Sequence, residues 1–310
     1  WGEFYVGCAG GLDVDVERRS VPEAAPADWA GCEIVLRGLR GGHSGVDIHE
    51  ERGNALKLLV RVLRDLEARL PLRLAALSGG TARNALPREA RAVVVLPAGG
   101  ADAVAGRLAD WQSALRAELA GVDEGVTLSC GPAVASEVMP AGEQAVWLAS
   151  LHAAPYGVFR WSRQVSGVVE TSNNLGIAEL GPDGGRCNFM VRSLVDRGAL
   201  ALADQIASLF ELSASIVRKS GHYPGWAPNP ASPLLALCRE VYRREFGSES
   251  KVQVIHAGLE CGIIGSKHPG LDTVSFGPTI TGAHAPGEAV EVASVGRCWQ
   301  LLRAILSAVS

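Results

Sequence analysis

The first half of the chain alternates between segments with helical and with strand-like spacing of apolar residues. From Asn54 to about Leu70, apolar side chains recur every three or four residues, which predicts a helix with one buried face. That face consists of Leu59, Val62, Leu63, Leu66 and Leu70. A second predicted helix has the same spacing at Val104, Leu108, Trp111, Leu115 and Leu119.

Short apolar segments bounded by turn residues predict the strands around these helices. In chain order they are "CEIVLRGL", "RLAALSGG", "EARAVVVLP" and "VTLSC". The resulting order is strand, helix, strand, strand, helix, strand, which is typical of an antiparallel sheet with helices on one face. Residues 145–221 repeat a similar order of elements without obvious sequence identity. We therefore predict one α+β domain with two related halves.

The pattern changes after the proline-rich segment 222–233. A helix is predicted from Pro233 to Phe246, followed by two apolar strands, "VQVIHAG" and "LDTVSFGP", and a C-terminal helix. The predicted apolar face of that last helix is Val295, Trp299, Leu302, Leu306 and Val309. Short strands without alternation, interleaved with helices, indicate a buried and largely parallel α/β sheet. Functional residues of such sheets collect on loops beyond the carboxyl ends of the strands.

Composition shifts along the chain suggest where one domain interrupts another. The segment "GEFYVGCAGG" at the start predicts a strand, and the Pro/Ala-rich segment "VPEAAPADWAG" follows it. We expect residues 1–14 to be a trailing strand of an α/β domain, residues 15–222 to form the inserted α+β domain, and residues 223–310 to be the C-terminal part of the α/β domain. Because the chain starts at Trp1 within a strand-like segment, we also expect its natural beginning to be missing.

Composition narrows the class of protein. The 310 residues suffice for two domains, and the net charge of −4 lacks the clustered basic face that nucleic-acid binding requires. No apolar segment of about 18 residues predicts a membrane span. The seven cysteines are dispersed and contain no CxxC pair, which indicates reduced thiols in a cytosolic protein.

Three polar residues stand where the inserted domain could present them to a ligand. His43 lies in the glycine-rich segment "GLRGGHSG", either as a ligand-binding residue or as a simple turn histidine. Asn84 precedes a strand, where its amide could hold a carboxylate or make an Asx turn. Arg192 lies within an apolar strand, so it needs a carboxylate partner: Asp196, Glu170 or a substrate terminus.

The C-terminal region offers further candidates. His284 lies on a loop after a predicted strand, as a metal ligand, a catalytic base or a helix-capping residue. His256, Glu260 and Cys261 share one loop, but residues so close in sequence do not easily face each other as a nucleophile pair. A serine hydrolase is disfavoured because Ser44 and Ser275 lie in no GxSxG motif. A zinc site made by this chain alone is disfavoured because three or four ligands are needed.

A series of long motifs, taken in chain order, resembles the bacterial aminoacyl-histidine dipeptidases. This family is also called cytosol non-specific dipeptidase or carnosinase-like, and belongs to the two-zinc metallopeptidases. The resemblance covers essentially the whole chain. It rests on "GCAGG", "GLRGGHSGVDIHEERGNALKLLVR", "GGTARNALPRE", "VVETSNNLG", "VRSLVDRG", "YPGW", "IHAGLECG" and "SFGPTITGAHAPGE".

The resemblance implies a fold and a set of roles. The fold is an α/β zinc-peptidase domain interrupted by an α+β lid domain of the dimerisation type, with antiparallel sheet plus helices. Two zinc ions share a hydroxide and polarise the peptide carbonyl, and a glutamate shuttles the proton. His43 matches the lid histidine that hydrogen-bonds the carbonyl oxygen. The substrate-binding positions are Asn84, Arg192, Gly258 and Glu260, and the last zinc ligand is His284.

One departure from the family pattern is large. Its other zinc ligands and its general-base glutamate lie upstream of the segment that matches "GEFYVGCAGG". We therefore expect the chain by itself to bind zinc weakly and to be inactive. For the intact enzyme we expect hydrolysis of dipeptides, Xaa-His such as carnosine among them, by a cytoplasmic homodimer that binds neither nucleic acid nor membrane. The alternative is a non-catalytic fragment or interaction module.

Overall fold

The structure, a computed structural model, describes residues 1–163, 165–229, 231–281 and 287–309. The chain divides into two compact units. The larger unit comprises residues 11–192 and 197–222, and the smaller one comprises residues 1–10, 193–196 and 223–310. None of the described helices is both long and apolar enough to cross a bilayer.

Seventeen strands and seven α-helices make up the described chain. The strands are β1 Glu3–Cys8, β2 Gly10–Arg19, β3 Glu23–Ala24, β4 Trp29–Arg37, β5 Gly42–His43, β6 Arg73–Gly79, β7 Ala85–Leu86, β8 Ala90–Pro97, β9 Thr127–Ala133, β10 Glu137–Val138, β11 Gly157–Trp161, β12 Val169–Gly181, β13 Gly184–Ser193, β14 Ile216–Tyr223, β15 Lys251–Ile255, β16 Ile280–Thr281 and β17 Ala289–Val290. The helices are α1 Ala55–Glu67, α2 Gly100–Glu118, α3 Ala141–Ala153, α4 Asp196–Glu211, α5 Pro233–Phe246, α6 Glu260–Lys267 and α7 Val292–Val309.

The larger unit is built on one nine-stranded sheet. Its strand order is β14-β2-β13-β12-β6-β8-β4-β9, with β11 paired to β12. Apart from the two-residue strands β5 and β7, the predicted order of strands and helices from β4 to β9 is confirmed. Strand β4 is antiparallel to both β8 and β9. Residues from α1, α2, α3 and α4 share one hydrophobic core with this sheet.

Helix α1 lies where the apolar spacing predicts it. Asn54 begins the helix as its N-cap, because its side-chain oxygen accepts a hydrogen bond from the Lys57 amide at 3.2 Å. Of the predicted buried face, Leu59, Val62, Leu63 and Leu66 are fully buried and Leu70 packs partly buried against the same core. Leu56, Leu58 and Val60 are buried as well, so more than one side of this helix is covered.

Strand β2 was not predicted, and it runs through the expected domain boundary between residues 14 and 15. Its buried residues Leu12, Val14 and Val16 alternate with acidic ones. That alternation is the period-two signal of a strand. The strand joins the nine-stranded sheet between β14 and β13, so the larger unit starts at Gly11.

The smaller unit pairs β1 with β15 in parallel, from Glu3 opposite Lys251 onward. Helix α5 has the predicted bounds; Ser232 is its N-cap and Gly247, with φ +68°, its C-cap. The predicted strand over residues 271–278 is reduced to a single antiparallel bridge between Tyr5 and Ser275.

The apolar face predicted for α7 is largely exposed in this chain. Leu301 and Ile305 are buried in the smaller unit's core, whereas Trp299 and Leu306 are 62% and 63% exposed. Val295 and Val309 of the predicted face are exposed as well. The helix is apolar on two sides, and periodicity alone does not tell which side meets the described core.

Helices α1 and α2 are joined by a cluster of polar contacts on Asp65. Its carboxylate accepts hydrogen bonds from Arg107 Nε at 2.6 Å, from Arg69 Nε at 2.8 Å and from Trp111 Nε1 at 2.9 Å. The Arg107 guanidinium, followed by Arg69 and the Trp111 indole, holds the pKa of Asp65 well below its usual range.

We expect Asp65→Asn to lower the free energy of unfolding at pH 7 by about 1 kcal/mol, because the cluster is partly exposed and screened. A depressed carboxyl pKa stabilises the fold above the unfolded-state pKa of about 4, and that contribution is lost as pH falls further. Urea unfolding from pH 7 down to pH 3 measures both effects. The wild-type advantage should shrink below pH 4; an advantage independent of pH would contradict the assignment. Asp110→Asn is the control, since Asp110 is exposed and makes one contact of 3.3 Å to the same Arg107.

Candidate functional site

Two short strands bring His43 and Asn84 together in the larger unit. Strand β5 pairs antiparallel with β7, so His43 lies opposite Ala85. The Ser44 amide donates to the Asn84 carbonyl at 2.8 Å. Two residues that are far apart in sequence, and that were predicted separately, are therefore neighbours in one substructure.

The imidazole of His43 is oriented by its own loop. Its Nδ1 accepts hydrogen bonds from the amides of Gly45 at 3.1 Å and Val46 at 3.0 Å. A ring nitrogen that accepts from two N–H groups carries a lone pair, so the neutral ring has its proton on Nε2. The half-buried His43 ring is thus arranged as an Nε2–H donor.

The turn that carries Asn84 is held from behind by two buried asparagines. Asn174 Nδ2 donates to the carbonyls of Arg83 at 3.3 Å and Ala85 at 2.8 Å, on either side of the exposed Asn84. Asn174 Oδ1 in turn accepts from Asn54 Nδ2 at 3.2 Å. Both asparagines are at most 1% exposed. Residue 84 is therefore fixed by the N-cap of α1 and by β12 together.

Sequence reasoning did not identify Asn54 and Asn174 as supports. A signal was present in "ETSNNLG", because asparagine is depleted in strands and two in succession inside one need a reason. A buried side-chain amide must be hydrogen-bonded. For an asparagine inside a strand, the nearest acceptors are the carbonyls of an adjoining turn.

Arg192 lies in β13 and is 4% exposed, as its position in an apolar strand predicts. The two carboxylates considered as its partners, Glu170 and Asp196, each make another contact. Glu170 pairs with Arg160 at 3.3 Å, and Asp196 Oδ1 accepts from the Gly225 amide at 2.7 Å.

Gly258 and Glu260 belong to the smaller unit. Glu260 opens helix α6, where a carboxylate is favoured by the helix dipole. A Cβ placed on Gly258 would lie 2.9 Å from Tyr223 Cε2, so only glycine lets the backbone approach that ring. The structure thus puts the predicted substrate-binding residues in two units, with His43, Asn84 and Arg192 in the larger one.

The alternative nucleophiles are disfavoured. Burial, followed by the neighbouring Glu260 carboxylate, raises the pKa of the Cys261 thiol, whereas a nucleophilic cysteine needs a lowered one. Ser44 is 1% exposed, and no described contact places a base beside it.

His284, the predicted zinc ligand, lies outside the described residues. Among the residues that are described, no group of three or more His, Cys, Asp or Glu side chains could hold a metal ion. A catalytic zinc needs three protein ligands. The described residues therefore do not by themselves fit the metal centre that the resemblance implies.

Comparison with known proteins agrees with the motifs. Residues 34–123 match the family model of the peptidase dimerisation domain, M20_dimer. Over 307 residues, 98% of its length, the chain is 41% identical to cytosol non-specific dipeptidase of Escherichia coli (strain K12), of which it covers 63%. The crystal structure of aminoacylhistidine dipeptidase from Vibrio alginolyticus matches 99% of the chain with a TM-score of 0.91 at 39% identity, and again 63% of that protein is covered. The chain is therefore similar to these two dipeptidases over nearly its whole length, and it spans 63% of the length of each.

Proposed function

We propose that this chain forms the lid and the C-terminal part of a metal-dependent dipeptidase that cleaves unblocked dipeptides, with Xaa-His dipeptides such as carnosine among them. One observation carries the proposal: His43 is arranged as an Nε2–H donor on a loop that is backbone-paired with the Asn84 turn. The names of the two relatives, both dipeptidases, support the same reaction class.

The lid residues would bind a dipeptide at two points, the scissile carbonyl and the terminal carboxylate. His43 would donate to the carbonyl oxygen of the scissile bond as negative charge develops on it, the role of an oxyanion-hole donor. Asn84 and Arg192 would hold the terminal carboxylate, for which a planar guanidinium offers two parallel N–H donors. Gly258 and Glu260 are the further substrate-binding positions that the resemblance implies. A carboxylate clamp at a fixed distance from the reacting bond would restrict the substrate to dipeptides.

The metal ligands other than His284 would come from the part of the relatives' length that this chain does not span. The uncovered side of α7 supports this idea. Val295, Trp299, Leu306 and Val309 are 45–63% exposed on one helix, and such apolar faces normally pack against further protein. Strands β1 and β15 form a two-stranded parallel sheet, and parallel sheets are normally larger and covered on both faces.

A cytosolic homodimer is the assembly we propose. The matched dimerisation domain, residues 34–123, supports self-association. All seven cysteines are free, as in proteins of a reducing compartment, and the Escherichia coli relative is named as a cytosol enzyme.

We expect the chain by itself to hydrolyse neither carnosine nor Ala-Ala with added zinc, and the full-length protein to hydrolyse both. The reason is ligand number, since one histidine cannot make a catalytic zinc site. Amine release measured on both proteins, with metal content by mass spectrometry, tests this. Robust turnover by protein confirmed to begin at Trp1 would contradict the need for further ligands, and a metal-loaded full-length protein inactive on all dipeptides would contradict the function.

The second candidate is a non-catalytic fragment or interaction module. The observation in its favour is that, among the described residues, no group of three or more His, Cys, Asp or Glu side chains could hold a metal ion. It predicts that the full-length protein has no more peptidase activity than the chain alone.

A further inference from the structure

The loop that carries His43 is closed by one aspartate. Asp47 Oδ2 accepts from the His43 amide at 2.7 Å, and the Asp47 amide donates to the His43 carbonyl at 3.0 Å. Both backbone polar groups of His43 are therefore bound by Asp47. The amides of Gly45 and Val46, which orient the ring through Nδ1, lie inside the same closed segment.

Arg52 fastens this closed segment to the chain before it. Its side chain is 11% exposed. Nη1 donates to the Gly41 carbonyl at 2.5 Å, and Nη2 lies 3.3 Å from Asp47 Oδ1. Glu50 Oε2 is contacted twice, by Nε at 2.9 Å and by Nη2 at 2.8 Å. The Arg52 carbonyl accepts from Tyr156 Oη at 2.8 Å, which ties the arginine to the residue just before β11. Only a planar guanidinium, with its five N–H donors, can donate to these three acceptors at the same time.

Gly42, the residue before His43, packs directly against the ion pair of Asp47 and Arg52. Its φ is +140°, and a Cβ there would overlap Arg52 Nη1 and lie 2.5 Å from Asp47 Oδ2. The backbone next to His43 is thus packed against the ion pair itself. A change in the pair must shift residues 42 and 43, because no space separates them.

We propose that Asp47 and Arg52 are positioning residues for the His43 imidazole, holding its Nε2–H in the direction required by the developing oxyanion. The inference rests on the proposed function of His43. A donor misplaced by about 1 Å can lose about 100-fold in rate, because the hydrogen bond must form at the position the oxyanion will occupy. Neither residue touches the substrate in this assignment; both act through His43.

Arg52→Lys and Asp47→Asn, each in the metal-loaded full-length enzyme, test the assignment. We expect kcat to fall about 10- to 100-fold, with KM for carnosine and zinc content unchanged, because a donor used mainly in the transition state is displaced. Arg18→Lys is the matched control. Arg18 is 18% exposed, pairs with Glu143 through Nη2 at 2.8 Å and also donates to the Ser213 carbonyl. Arg18→Lys therefore loses the same kinds of contact as Arg52→Lys, at a place far from the His43 loop in sequence. Equal losses of kcat in Arg18→Lys and Arg52→Lys would overturn the proposal.

A double-mutant cycle separates this inference from the function it rests on. In a His43→Ala background, Arg52→Lys should cost little further kcat, since the group it positions is gone. If His43→Ala lowers kcat and Arg52→Lys lowers it again by its full factor, positioning is refuted while the role of His43 stands. If His43→Ala leaves kcat unchanged, the proposed role of His43 itself fails.

The tautomer of His43 gives a readout that does not depend on activity. In the chain as it is, nitrogen-15 spectra of the histidine rings should place the His43 proton on Nε2, with the resonance assigned by its loss in His43→Ala. Asp47→Asn or Arg52→Lys should raise the Nδ1–H population of the neutral ring. An unchanged spectrum in both variants would overturn the proposal, also in the case where the full-length variants fold poorly.

Discussion

His43→Ala, in the metal-loaded full-length enzyme, is expected to lower kcat by about 100-fold or more, which is the usual effect of removing one oxyanion donor. Zinc content and melting temperature should barely change, because the hydrogen bonds that Nδ1 accepts are local ones, from Gly45 and Val46. Steady-state kinetics with carnosine, metal analysis and thermal unfolding on one preparation measure all three quantities. The control is His49→Ala, since His49 is exposed in the same loop and its Nδ1 lies 2.9 Å from the Val46 carbonyl oxygen.

Unchanged kcat with a collapsed melting temperature would mean that His43 is structural. A loss of kcat equal to that of His49→Ala would mean that the loop, and not the Nε2–H donor, matters. Restoring a donor at residue 43 with His43→Gln should recover part of the rate, which a purely steric role does not predict.

His284→Ala is expected to abolish dipeptide hydrolysis in the full-length enzyme and to lower its zinc content. We propose that His284 is a metal ligand, and a catalytic zinc site built on three protein ligands would not tolerate the loss of one. Activity and metal content are measured before and after dialysis against excess zinc. His268→Ala is the control, an exposed histidine that follows helix α6 in the same unit. Two tightly bound zinc ions with near-normal kcat in His284→Ala would make residue 284 an ordinary loop histidine.

The two variants also answer a question about the dimer when they are combined. Neither variant alone should be active. If mixing His43→Ala chains with His284→Ala chains restores activity, one subunit delivers His43 to the site of the other. If the mixed dimer stays inactive, each subunit uses its own histidine.

Local sequence patterns determined most of the helices and strands. The apolar spacing of α1 and its N-cap Asn54 specify a helix within a few residues of the observed bounds. For α5, the capping residues Ser232 and Gly247 specify where the helix begins and ends. Strands β4, β6, β8 and β9 follow from short apolar segments between turns. Strand β2 carried a different signal, the alternation of Leu12, Val14 and Val16 with acidic residues, and contains no apolar segment of that kind.

The candidate residues were likewise visible in the sequence, because glycine-rich and Asn-containing turns mark where side chains can reach a ligand. The sequence singled out His43, Asn84 and Arg192 one by one. It did not indicate that β5 pairs with β7, that Asn174 holds the Asn84 turn, or that Asp47 and Arg52 close the His43 loop.

Tertiary structure decided these features for a physical reason. Helix and strand propensities, caps and periodicity act over a few residues, so they can be read locally. Pairing of β5 with β7, and burial of Asn174 behind residue 84, depend on which distant segments the folded sheet brings into contact. The same holds for α7, whose apolar residues lie on two sides: only the packing of Leu301 and Ile305 against the smaller unit's core selects the side that is buried.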